Sequence, residues 1–284
     1  MPGFGTSLAV AVCLLSFLIG QGSASFWRPQ TTPTPTPRPL PSNPNDPYYK
    51  TFQKVPAPNV TATKLMVNFL HLSPCNTSSL VKRQAPLFED IVLVLDGSGS
   101  VGKCEFNKGK KALHYMAGLA AESQYDTKYA AVTFATSAVI NFNFTHYSIA
   151  ANKTLQISYP GGLTNTQEGL LLARNLFVNP SGQRPNSREM VFLVTDGQSN
   201  VQRQLTVPRA TALKKLGVQI FVVAVGNQIH GIDEMVRVAT SPPEQFLFRV
   251  TKLTQFWEIV KLCIKQVAPE KYKVIQGQFE TPCY

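Results

Sequence analysis

The stretch "IVLVLDGSGSVGKCEF", Ile91 to Phe106, decides the fold and frames the question of function. Its first half is a continuous apolar run, the mark of a strand buried on both faces. Its second half sets Gly97, Gly99 and Gly102 in the spacing G-x-G-x-x-G ahead of a helical pattern, which is the dinucleotide-binding fingerprint. Asp96, Ser98 and Ser100 occupy the same loop. The loop is therefore a cradle either for a phosphate or for a cation.

Working outward, strand and helix patterns alternate from about Leu87 onward. They predict an α/β fold: a doubly wound, mostly parallel sheet with one antiparallel edge strand and helices on both faces. In the helix after the loop, Phe106, Leu113, Met116 and Ala120 fall on one face, and Lys108, Lys111 and Tyr115 on another. "KYAAVTFA" (128–135) and "AVINFNF" (138–144) lie too close together for a crossover and predict a hairpin. Strict alternation there points Ile140, Phe142 and Phe144 inward and Asn143 outward. "MVFLVTD" (190–196) and "VQIFVVAVG" (218–226) are two more buried strands, "FLFRV" (246–250) closes the sheet, and a last helix runs from about 253 to 267.

In such a sheet, ligands bind beyond the carboxyl ends of the strands. Asp96 ends one strand, and Asp196 in "VTDGQSN" ends another; if the two are neighbours, their carboxylates repel, and a divalent ion resolves the repulsion. The dinucleotide reading needs an acid at the end of the second strand, where this chain has "TFATSA". Gly97 and Gly99 let a tight backbone aim the Ser98 and Ser100 hydroxyls at one point, and Thr164 in "GGLTNT" (161–166) offers a third. Magnesium takes six oxygens and keeps water readily, so hydroxyls can bind it directly while carboxylates hold its water.

Together, D-G-S-G-S after the first strand, G-x-T-N-T before a middle helix and T-D-G after a later strand resemble the von Willebrand factor A domain and its metal-ion-dependent adhesion site. The same motifs look like the A domains of complement factor B and its relatives. The resemblance covers about residues 88–268. It implies Ser98, Ser100 and Thr164 as direct ligands, Asp96 and Asp196 acting largely through water, and Mg2+, or Mn2+ or Ca2+, as the ion. It also implies that the ion's last position is filled by an acidic side chain of an extracellular partner, collagen or another matrix protein among them. Leu163 stands where many family members have Gly or another small residue.

Processing signals point to secretion into the extracellular matrix or fluid. Residues 1–24 carry no charged side chain, and their apolar core, Leu8 to Ile19, is too short to span a bilayer. With Gly22-Ser23-Ala24 behind it, that core reads as a signal peptide. Residues 25–60 read as a Pro/Thr-rich extended spacer, 61–87 as an ambiguous segment with a dibasic pair at Lys82-Arg83, and 269–284 as a tail. Asn59, Asn76, Asn143 and Asn152 head glycosylation sequons. Four cysteines remain after Cys13 leaves: Cys75, Cys104, Cys263 and Cys283. Cys104 starts the first helix and Cys263 lies far along the last one, so the expected bonds are Cys75 to Cys263 and Cys104 to Cys283.

The net charge of +11 suits a sulfated polysaccharide, an acidic protein or a mineral surface better than nucleic acid. Lys103, Lys108, Lys110 and Lys111 are the candidate anion-binding cluster. A hydrolase is the least supported class, since the chain has no G-x-S-x-G elbow and His71, His114, His146 and His230 fall in no motif that marks a base. The expectation is a secreted adhesion or matrix-binding module, not an enzyme, with a charge-driven polysaccharide binder as the alternative.

Overall fold

Ile91 to Leu95 are each no more than 3% exposed, because strand β1 (Leu87–Asp96) is flanked on both edges. The computed structural model describes residues 39–72, 87–179, 184–277 and 283. The expected signal peptide, the first part of the expected spacer, Cys75, Asn76 and the dibasic pair lie outside these residues. On either side of β1, and parallel to it, run β2 (Tyr125–Phe134) and β4 (Arg188–Thr195). With β3 (Ala138–His146), β5 (Gln219–Val225) and β6 (Leu247–Val250), the six strands lie in the order β3-β2-β1-β4-β5-β6, and β3 alone is antiparallel. The chain leaves β1 in one direction toward β2 and returns on the other side at β4, so a topological switch point falls between these two strands.

The helices are, in chain order, α1 (Pro47–Lys50), α2 (Pro58–Leu65), α3 (Lys103–Gly118), α4 (Tyr147–Leu155), α5 (Thr166–Val178), α6 (Thr206–Lys215), α7 (Ile232–Val238), α8 (Pro243–Phe246), α9 (Leu253–Val267) and α10 (Pro269–Ile275). Phe106, Leu113, Met116 and Ala120 are buried, as periodicity predicts. Lys108 is buried too, on the flank that also carries Ala112, so the face it shares with Lys111 and Tyr115 is partly packed. At Gly109 a Cβ would come within 3.0 Å of Leu253 Cδ1, so the missing side chain sets how closely α3 meets α9. Ile140 is 37% exposed rather than inward. The β2–β3 register shifts at Tyr129/Ala131 and again at Ala131/Val132, which breaks the alternation there, while Phe142 and Phe144 stay buried.

The spacer expectation needs correction over residues 39–60, and the ambiguous segment that follows packs on the domain through residue 72. Tyr49 is 1% exposed, and Leu65, Met66 and Phe69 are equally buried, the Phe69 ring lying 4.4 Å from that of Phe192. Arg249 holds this segment by donating to the carbonyls of Phe52 at 2.9 Å and Gln53 at 3.3 Å, and to those of Ala224 and Gly226 at 2.5 and 2.7 Å. The Pro/Thr repeat explains the expectation, but the aromatic residues just after it supply an apolar face that composition averages away. Asn59, Asn143 and Asn152 are all exposed.

Cys104 is bonded to Cys283, with Cα atoms 5.8 Å apart. Cys263 is a free buried thiol, contrary to the expected bond with Cys75. Its Sγ lies 3.6 Å from the Ala62 carbonyl oxygen, because α2 packs over that part of α9. At the amino ends of the central strands, opposite the loop, His71 closes the N-terminal segment beside Glu89, Arg188 and Thr127, with His71 Nε2 3.7 Å from Glu89 Oε1.

Candidate metal centre

β1 is in register with β4 so that Leu95 lies opposite Val194, which sets Asp96 beside Thr195 at the carboxyl ends of the two strands. Asp196 follows Thr195 directly, so the two acids do meet at one rim. Asp96 is 3% exposed, and Ser98 and Thr164 are 1% and 5% exposed. Ser98 donates its backbone N–H to Asp96 Oδ1 at 2.9 Å, and Thr195 donates its hydroxyl to Asp96 Oδ2 at 2.7 Å. The Ser98 and Ser100 hydroxyls lie 3.1 Å apart, and Ser100 donates to Asp196 Oδ1 at 3.1 Å.

Backbone contacts lock the three loops together. Gly99 N–H donates to Gly162 O at 2.8 Å, and Gly161 N–H to Gly97 O at 2.9 Å. Thr164 O accepts from Asn200 N–H at 2.9 Å, while Thr164 N–H donates to Asn200 Oδ1 at 2.8 Å. Gly162 has φ 103°, and a Cβ there would meet Thr136 Oγ1 at 2.4 Å, so only glycine fits. Ser199 N–H donates to Glu234 Oε1 at 3.0 Å, and Arg203 braces the other oxygen of that carboxylate at 3.1 Å.

Burial pushes the Asp96 carboxyl up to about 6, and the charge of Asp196 adds to the effect against the opposing hydrogen bonds of Ser98 and Thr195. Burial raises Asp196 as well, opposed by Ser100. Two carboxylates that both resist ionisation, ringed by hydroxyls, fit a divalent cation: its charge removes the cost and the hydroxyls supply neutral oxygens. A cleft of about 250 Å3 opens beside them, lined in part by Val101, Glu105, Lys252 and Leu253.

All five residues expected at the metal lie on these cross-bonded loops. Thr195, Asn200, Thr136 and Glu234 escaped the sequence reading. They act through contacts with residues distant in sequence, and only the T of T-D-G hinted at one of them. Three of the four lysines, Lys108, Lys110 and Lys111, line one open cleft with Asn107, His114 and Tyr115. Lys103 is exposed and Lys108 buried. Lys110 donates to the Leu155 and Ile157 carbonyls at 3.1 and 2.6 Å, and Lys111 lies 5.3 Å from the centre of the Trp257 ring. Helical periodicity gave their angles about α3, not what packs against them.

The family model for the von Willebrand factor type A domain matches residues 90–262. Human integrin alpha-D is 26% identical over 182 residues, which is 61% of this chain and 15% of that one. Vitrin from Bos taurus is 28% identical over 203 residues, covering 69% of this chain and 30% of its own. The chain thus spans less than a third of either relative's length. A solved structure of proximal thread matrix protein 1 from the mussel byssus, with a zinc-occupied MIDAS motif, is alike in fold with a TM-score of 0.51 at 23% identity. It covers 63% of this chain and 45% of the mussel chain.

Proposed function

The chain belongs to the von Willebrand factor type A domain family, and on that premise we propose a secreted adhesion or matrix-binding module that grips its partner through a divalent cation. Ser98, Ser100 and Thr164 would supply direct oxygens, and Asp96 and Asp196 would hold the ion's water. When bound, the ion is an electrophile for an incoming Asp or Glu of the partner. The chain's own part is to keep three loops rigid around that point. The observation that carries the reading is the pair of carboxylates at the switch point, Asp96 buried and Asp196 half-buried, contacted by the Thr195 and Ser100 hydroxyls and the Ser98 N–H. Magnesium is the leading ion, with manganese, calcium and zinc in the same test.

A matrix extract passed over the immobilised chain in magnesium, and again in chelator, tests the reading. Partner retention in magnesium alone, lost in Asp196→Ala and Thr164→Ala while both variants stay folded, is the expected result. Retention that survives chelator and both substitutions would move the binding site elsewhere on the surface.

A further inference from the structure

We infer that Asn143 and Asn152 carry N-linked glycans that cover the open edge of the sheet and keep one copy of the chain from pairing with another, an inference that rests on the secreted reading above. The two edges of the sheet are built differently. β6 has four residues, all buried, and the N-terminal segment covers it: Lys64 Nζ donates to Leu247 O at 2.6 Å, and Arg249 ties the Phe52 and Gln53 carbonyls to the strand. β3 has nine residues and, among the described residues, pairs with β2 alone. An unpaired edge is a template for another strand, and proteins blunt it with charge, proline, bulges or cover.

β3 itself has little of this protection. From Ala138 to Phe144 it reads AVINFNF, with no charge, proline or glycine, the composition of a strand that stacks on its own copies. Val139 is 55% exposed, and Ile140 and, on α4, Ile149 are exposed as well. Register shifts interrupt the ladder on either side of Phe142, yet Ala138, Val139 and Ile140 pair in unbroken register. What this edge does carry is two sequons. Asn143-Phe144-Thr145 lies within β3 and Asn152-Lys153-Thr154 within α4, and both asparagines are exposed. Lys153 Nζ lies 5.8 Å from the centre of the Phe142 ring, which sets the two sequons at one corner of the domain. Ile149 and Asn152, three residues apart, share one side of α4. A polar cleft of about 320 Å3 opens at the same corner, lined by Asn141, Phe142, Lys153, Gln156, Ile157 and Ser158. Amides, a hydroxyl and an aromatic ring are groups that hydrogen-bond to a sugar and pack on it. The modification joins an asparagine amide nitrogen to C1 of the first sugar of a lipid-pyrophosphate oligosaccharide. The C1–O bond to the pyrophosphate breaks, the lipid pyrophosphate leaves, and the amide gives up one proton. Asn59 stands instead on α2, which packs on α9 and β6 at the opposite edge.

The full chain is expressed in secretory animal cells, recovered from the medium, and each asparagine is scored by its conversion to aspartate when glycans are released enzymatically. Light scattering then follows mass against concentration for wild type, the double variant Asn143→Gln/Asn152→Gln, and Asn59→Gln. The expected result is sugar on both Asn143 and Asn152, a monomer for wild type and Asn59→Gln, and a mass that rises with concentration for the double variant. Wild type made with oligosaccharide transfer blocked should associate in the same way, without any substitution. Val139→Lys added to the double variant should restore the monomer, because a lysine on the edge repels a second strand. The substituted asparagines are exposed, so these chains should keep a cooperative melt, and a melting scan checks that they do. Either Asn143 or Asn152 bare in a chain recovered from the medium, a monomeric double variant, or association that Val139→Lys leaves in place overturns the inference while the secreted reading stands. A wild-type chain that never reaches the medium overturns both.

Discussion

Thr195, the last residue of β4, gives its hydroxyl to Asp96 Oδ2 at 2.7 Å, so the carboxylate ending one central strand is oriented by the strand beside it. Replacing that hydroxyl while keeping the strand's shape should loosen Asp96 and weaken divalent-ion binding. Thr195→Val is expected to lower ion affinity by ~10 to 100-fold. It should also cost roughly 1–3 kcal/mol of stability by stranding a buried oxygen. Calorimetric titration with magnesium measures the first effect and urea unfolding the second. Unchanged affinity would deny Thr195 its positioning role.

The free thiol and the disulfide should separate chemically. Burial pushes the Cys263 thiol up to about 12, so it should resist iodoacetamide in the native chain and react once the chain unfolds. Cys104 and Cys283 should appear as one cross-linked peptide without reductant. Cys283→Ser should cost about 2–4 kcal/mol, since the bond closes a long loop. A peptide joining Cys263 to another cysteine would contradict the structure.

Stability against pH should reveal two opposed groups at the amino end of β1. Burial pushes Glu89 up to about 7 and, with Arg188 adding to it, pushes His71 down to about 4. The folded state takes up the Glu89 proton more readily than the unfolded chain, so acidification from 7 toward 4.5 stabilises. It takes up the His71 proton less readily, so acidification from 6.5 toward 4 destabilises. In wild type the two slopes nearly cancel between 6.5 and 4.5. Glu89→Gln should therefore lose stability on acidification through that window, and His71→Gln should gain it. Urea midpoints at several pH values decide, and parallel slopes in the two variants would refute the assignment.

Arg249 is expected to be the main tie of the N-terminal segment. Arg249→Met keeps the volume but leaves the carbonyls of Phe52, Gln53, Ala224 and Gly226 without this donor, at a cost of roughly 2–4 kcal/mol. Hydrogen exchange should rise first around Tyr49 to Gln53. Arg249→Lys should rescue little, because one ammonium cannot reproduce the guanidinium fork. Unchanged exchange in that segment would show that its apolar contacts suffice.

The strands and the antiparallel hairpin were legible because the buried strands are near-continuous apolar runs and the hairpin is too short for any other connection. The meeting of Asp96, Ser98, Ser100, Thr164 and Asp196 was legible because they cluster in three short motifs, two at strand ends and one before a helix. What escaped has physical causes. Asn200 and Thr164 exchange contacts across 36 residues, and Thr195 meets Asp96 across 99, pairings that no local pattern encodes. Ile140 turned outward because a bulge interrupts its strand pairing. Residues 39–60 were read by composition, whereas what docks them is a few aromatic side chains together with Arg237 and Arg249.

The most direct test of the central claim is a titration of Mn2+ into the metal-free chain, following the free ion's paramagnetic resonance, repeated with Asp196→Ala. The account predicts one ion per wild-type chain. It predicts ~10 to 100-fold weaker binding in the variant, with the thermal transition still cooperative. No bound ion in wild type, or equal affinity in a folded Asp196→Ala, would contradict it.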